Sequence, residues 1–378
     1  MKQEKTTQTF VFAFAGWNSN NPLSFQLQYL AQKLAELGNR IIVIVQGSGS
    51  TDVNWSDKNI SVLFWPSKRP TKWRDAWFLA KIIKKNKPAC VLANFAAVNW
   101  MMVVGRLFRV PVRIAWYQTL HKQITIDQQY DAVKTKLLVL RKKLVYRLAT
   151  NVVPVSCFAF EELWNIYRVP QEKRKVIYNL LTDPLKSNFK KSNNNQVDIV
   201  CVARLDHSKG QDVLIKAMHL LVEKYPKLRL KLIGDGPRRY ELVELSRSLQ
   251  VSEKVDFMGR IPHEDVLKNV FTSYLNIHPA RVDNCPLAVI ESIALGTPLV
   301  ASNTGGIPEI IRDGVDGFLV PPDSPEALAN AIEKILESPE LRDTLAKNAR
   351  ERFLSTFELT NGVQDIIAWL TATIDARS

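Results

Sequence analysis

"TFVFAFAG" (residues 9–16), "LSFQLQYLAQKLAELGN" (23–39) and "RIIVIVQG" (40–47) follow one another near the start of the chain. The first is a short apolar run that stops at a glycine, as a buried parallel strand does. The second repeats apolar positions at helical spacing and ends at Gly38, and the third reads as another buried strand. Strand, helix and strand in this order predict a βαβ unit. The alternation continues through "ACVLANF" (89–95), the helical "AAVNWMMVVGRLFRV" (96–110) and "VRIAWYQT" (112–119).

Residues 185–196, "LKSNFKKSNNNQ", are polar, Asn-rich and without periodicity, and read as a linker. A second alternating series begins with "VDIVCVARL" (197–205). It goes on through "QDVLIKAMHLLVEKY" (211–225), "LRLKLIGDG" (228–236) and "PRRYELVELSRSLQ" (237–250), then the short strands "KVDFMG", "YLNIHPA" and "PLVASN". The expected fold class is α/β, two Rossmann-like doubly wound domains facing an interdomain cleft. The first domain is expected over 1–184 and the second over 185–357, with a C-terminal helix at about 358–378 packing back on the first.

The bulk composition agrees with two globular domains. The chain has 378 residues, 46% hydrophobic and 23% charged, which excludes a disordered or low-complexity chain. Its net charge of +14 is uneven. Residues 1–184 hold 27 Lys/Arg against 11 Asp/Glu (27 − 11 = +16), and 185–378 hold 24 against 26, or −2. The first half therefore faces something anionic: nucleic acid, acidic lipid or anionic glycan. Cys90, Cys157, Cys201 and Cys285 are scattered without paired spacing, which fits a reducing, cytoplasmic compartment without structural zinc. The polar start "MKQEKTTQTF" lacks the apolar core of a signal peptide. The most membrane-like stretch, 89–105, is shorter than a span needs and contains Asn94 and Asn99.

"VDNCPLAVIES" (282–292) carries the chemistry. The helical neighbours of Glu291 are Leu287, Ala288, Ala294 and Leu295, all apolar. A carboxylate in such company is paired or hydrogen-bonded, because an unsatisfied buried charge is costly. It is either a helix-start glutamate stabilised by backbone dipoles or an acceptor for a diol such as a ribose. Asp283 lies beyond the C-terminal end of "YLNIHPA", where ligands bind in open α/β sheets. Between the two acids, "NCPLAV" should present N–H groups at a helix start, which suits a phosphate. "NTGGIPEI" supplies a second flexible loop, and Arg204 and Lys209 supply cations for a diphosphate after another strand. No D-x-D, G-x-S-x-G or P-loop pattern occurs, and the histidines lack metal-ligand spacing, so cations rather than a metal would stabilise a departing phosphate.

"ARLDHSKGQDVLIKA", "LIGDGP", "VDFMGRIPHEDV" and "DNCPLAVIESIALGTPLVASNTGGIPEII…DGVDGFLVPP" resemble the retaining nucleotide-sugar glycosyltransferases of family 4, with the GT-B fold. "LAQKLAELGNRIIVIV" and "RVPVRIAWYQT" are similar to that family's acceptor domain, and "KVIYNLLTDP" to the segment entering its donor domain. The resemblance implies that Arg204 and Lys209 contact the donor diphosphate, Glu291 the ribose hydroxyls and Asp283 the transferred sugar. It implies further that Asn284, Cys285, Pro286 and Leu287 cradle sugar and phosphate with their backbone, that Gly259, Arg260 and Ile261 line the base, and that Gly16 lies near the donor phosphates. Gln118 or His121 stands where the family has a sugar-contacting His. "DNCP" departs from the family's usual Glu followed by Gly-aromatic-Gly.

The implied reaction is metal-independent hexosyl transfer with retention, from a nucleotide-diphosphate sugar such as a UDP-sugar. The acceptor is a glycan or lipid-linked, in cell-surface polysaccharide or glycolipid synthesis. No cofactor is expected besides that co-substrate, and no nucleic acid. The alternative is a degenerate, non-catalytic GT-B module that binds nucleotide or polyanion. Residues 71–88 and 134–150 are basic, amphipathic and aromatic-bearing. Each alone also fits a core-facing stripe with a solvated basic back. Two together add an anionic membrane surface as a partner, with cytoplasmic, inner-face peripheral localisation.

Overall fold

The computed structural model describes residues 7–14, 22–46, 59–186 and 197–377. The expected linker falls mostly on 187–196, outside the described residues, as do Gly16 and the polar start before residue 7. The chain divides into two compact units. One comprises Met1–Gln118, Asp131–Leu180 and Leu359–Ser378, the other Thr119–Tyr130 and Leu181–Glu358.

Elements of the first unit are β1 (Thr9–Ala13), α1 (Pro22–Glu36), β2 (Arg40–Val45), β3 (Ile60–Phe64), α2 (Trp73–Asn86), β4 (Cys90–Asn94), α3 (Ala97–Leu107) and β5 (Val112–Tyr117). After α4 (His121–Gln128), which groups with the second unit, come α5 (Ala132–Leu148), β6 (Asn151–Pro154) and α6 (Cys157–Asn165). Among the described residues its sheet has six strands, all parallel, in the order β3-β2-β1-β4-β5-β6. β1 and β4 at its centre are almost wholly buried, which explains their continuous apolar runs. The direction of crossover reverses at β1. Right-handed crossovers therefore put α1 on one face and α2, α3 and α5 side by side on the other. Contacts of α2 with α3 and of α3 with α5 agree.

The second unit contains β7 (Val197–Val202), α7 (Gln211–Leu221), β8 (Leu228–Ile233), α8 (Arg239–Ser248), β9 (Val255–Gly259), α9 (His263–Thr272) and β10 (Leu275–His278). It continues through α10 (Leu287–Ala294), β11 (Leu299–Ser302), α11 (Ile307–Ile310), β12 (Phe318–Val320), α12 (Pro325–Glu337) and α13 (Pro339–Thr356). The strand order is β12-β11-β10-β7-β8-β9, again parallel throughout. Ser324 and Ser338 cap α12 and α13 by accepting from the N–H groups of Ala327 and Leu341, with a proline following each cap. The sheet buries Ile199, Cys201, Leu230, Leu232 and Ile277 against Leu214, Met218 and Ile332 of the covering helices.

α14 (Leu359–Asp375) returns to the first unit and packs on α1, burying Leu359, Val363, Ile366, Ile367, Leu370 and Ile374. No helix among the described residues is long and apolar enough to cross a membrane.

Candidate active site

In the second unit every loop singled out from sequence follows the C-terminal end of a parallel strand, so all lie along one sheet edge. The loop after β7 carries Arg204 and Lys209, and the loop after β10 carries Asp283 and runs into α10. Gly210 joins these two loops. It has φ +66°, and a Cβ there would stand 2.0 Å from the carbonyl oxygen of Pro279, so only glycine allows the approach.

Across this junction the Lys209 ammonium donates to Asp283 Oδ2 at 2.6 Å. His278 Nε2 lies 3.0 Å from the same oxygen, and Asp283 Oδ1 accepts from the Asn284 N–H at 3.0 Å. Burial alone would raise the Asp283 carboxyl. The Lys209 charge and the His278 hydrogen bond outweigh it and hold the group well below the usual carboxylate range. Asp283 is thus a buried, ionised acceptor with its partners already in place.

Glu291 is buried on the second turn of α10, with Oε1 2.8 Å from Nε2 of His263, the first residue of α9. This contact raises the His263 pKa against the lowering effect of burial. The segment Gly259, Arg260 and Ile261 lies just before α9, ending two residues before His263. Arg260 is exposed, whereas Ile261 packs against Val200, Ile233, Val266, Val270 and Leu295. Asn284, Cys285 and Pro286 are buried between the acids. As at any helix start, the opening amides of α10 have no intrahelical acceptor and point toward this edge.

Arg204 is mostly exposed, and its Nε is 2.8 Å from Asp206 rather than close to Asp283. Gln118 groups with the first unit, where it donates to Asn179 Oδ1 at 3.3 Å, while His121 opens α4 in the second.

Three residues that support the loops escaped the sequence reading. Asp212 accepts both Arg281 Nη1 and Nη2, at 2.9 and 2.6 Å, and Arg238 Nη1 at 2.9 Å. Burial would raise its pKa, but the two guanidiniums hold it well down. Asp127 on α4 accepts from both the backbone N–H and the hydroxyl of Ser208, each at 3.0 Å, and so clamps the turn that presents Lys209. His278 supports the Asp283 carboxylate by the 3.0 Å contact already described. The sequence signal for His278 is only that it ends a strand five residues before the acid. Asp127 gave none, because its partner is 81 positions away.

The chain is similar in sequence and fold to known glycosyltransferases. The model described as Glycosyltransferase Family 4 matches residues 24–181, and the one described as Glycosyl transferases group 1 matches 183–352. Each half is thus similar to a glycosyltransferase domain family. An uncharacterized glycosyltransferase of Methanocaldococcus jannaschii is 27% identical over 364 residues, covering 91% of this chain and 93% of that protein. A GDP-mannose-dependent alpha-(1-6)-phosphatidylinositol monomannoside mannosyltransferase of Mycolicibacterium smegmatis is 33% identical over 148 residues, 37% of this chain and 39% of that one. Among solved structures, the Anabaena protein HepE in complex with UDP superposes with a TM-score of 0.77 at 20% identity, covering 96% of this chain and 100% of that one. The chain thus has the two-domain GT-B fold expected from sequence. Such relatives do not favour a non-catalytic module.

Proposed function

We propose that the chain is a retaining, nucleotide-diphosphate-sugar-dependent hexosyltransferase acting on a glycan or lipid-linked acceptor. One observation carries the reading. Two buried carboxylates eight residues apart flank a helix start at the sheet edge, and each already has a basic partner.

In this reading Glu291 accepts the ribose hydroxyls, and Asp283 accepts hydroxyls of the sugar. Lys209, Arg204 and the α10 amides neutralise the charge that grows on the diphosphate as the C1–O bond breaks. The acceptor oxygen bonds to C1 on the face the phosphate leaves, and the leaving phosphate oxygen takes the acceptor proton. The protein contributes positioning and preorganised charge. HepE was solved with UDP and the mycobacterial relative is named for GDP-mannose, so a nucleoside diphosphate suits the site.

Thermal unfolding with UDP, GDP, ADP and dTDP tests this. A ligand at a hundred times its dissociation constant stabilises by roughly 2.7 kcal/mol, an easily read shift. One nucleotide should raise the midpoint of the wild type and leave Glu291→Ala, itself still folded, unmoved. A silent wild type, or an equal response from the variant, rejects the assignment.

A further inference from the structure

α5 spends little of its surface on the core. Of its 17 residues only Val145 and Tyr146 are buried, and Lys142 turns inward over the rings of Tyr117 and Tyr167 at 5.3 Å from each. On the opposite side Val133, Leu137, Leu140 and Leu144 are 68%, 61%, 55% and 53% exposed. At 3.6 residues per turn these four fall within about 60° of one another, a single apolar stripe. Lys134 and Arg141 flank it on one side, and Lys136, Lys143 and Arg147 on the other. α2 repeats the arrangement in the same layer. Its Ala76, Leu79, Ile82 and Ile83 face the core, while Trp73 and Trp77 stand 81% and 66% exposed, with Lys81 Nζ 3.3 Å above the Trp77 ring. α3 lies between the two helices, contacts both, and exposes Leu107 and Arg106.

We propose that this outer surface of α2, α3 and α5 docks on an anionic lipid layer. Exposed apolar stripes of this length are rare on solvated faces and mark a surface that something covers. Charge selects the cover. A second copy would bring two strongly basic faces together. A nucleic acid would satisfy the lysines and arginines and stack on the tryptophans, but leave the valine and the leucines in water. Only acidic headgroups above an acyl layer complement both at once, with aliphatic side chains inserted, indoles at the headgroup level and bases on the flanks.

The experiment is co-sedimentation with vesicles of phosphatidylcholine alone and of equal parts phosphatidylcholine and phosphatidylglycerol. It reads no turnover, so it stands apart from the donor assignment. The wild type should pellet with the acidic vesicles only, losing at least about tenfold in binding when salt is raised to 1 M, where the screening length is about 3 Å. Leu137→Gln with Leu140→Gln breaks the middle of the stripe, and Lys134→Glu with Arg141→Glu inverts one flank. All four side chains are exposed, so both variants should unfold at the wild-type midpoint and stay in the supernatant. Trp77→Ser tests α2 separately and should weaken binding by several-fold. Equal binding to both vesicles, no binding to either, undiminished binding by the stripe variant, or a wild-type dimer that the stripe variant dissolves would each overturn the proposal.

Discussion

Asp283 shows how a charge is kept in a nearly dry place. Its oxygens face an ammonium, an imidazole and a backbone N–H, all within 3.0 Å, so ionisation is favoured before any ligand arrives. Glu291 is held differently, by one imidazole. Because Glu291 raises the His263 pKa, the contact stabilises the fold fully below the ordinary value of 6.5 and is lost as pH rises through the raised value. The thermal midpoint of the wild type should therefore exceed that of His263→Gln most at about pH 5 and converge toward it by about pH 9. A difference that stayed constant over that range would mean that the imidazolium makes no special contribution. Glu291 itself was legible in the sequence, since an acid among apolar helical neighbours must have a partner. The partner was not, because His263 opens a different helix, 28 positions earlier.

Among elements, the loops at the sheet edge are tied to one another. Gly305 has φ +57°, and a Cβ there would lie 1.9 Å from the carbonyl oxygen of Asp283, while the neighbouring Gly306 N–H donates to that same oxygen at 3.1 Å. Gly305→Ala should displace the Asp283 loop, lower stability by more than about 1 kcal/mol and weaken nucleotide binding. Gly38→Ala is the control. Its φ is +86° but nothing lies within 4 Å, so it should lower stability by strain alone and leave binding intact. Thermal unfolding with and without nucleotide separates the two. The glycine pair of "NTGG", like the alternation of strands and helices, could be read from the sequence because turn chemistry and periodicity are local. The outward stripe of α5 could not be distinguished from a core stripe there, since periodicity says which residues share a face and not what covers it. The grouping of residues 119–130 with the second unit depends on contacts such as Asp127 with Ser208, which no local pattern encodes.

At the scale of the molecule, the first unit is built from three separate stretches of chain. The last of them, α14, buries six apolar side chains in that unit, each worth roughly 2 kcal/mol of transfer from water. A chain ending at residue 358 should therefore retain the second unit and lose the first. Calorimetry of this truncation should show the transition of the first unit vanish and that of the second remain, and an unfolding profile unchanged from the full chain would mean that α14 is dispensable. The same arrangement sets a timetable during translation. Residues 181–358 must be made between Leu180 and the helix that completes the first unit. At about 5–20 residues per second this interval is on the order of ten to forty seconds. The unit begun first is finished last. Through that interval its α1 surface waits uncovered on the ribosome, and there a chaperone would find its substrate.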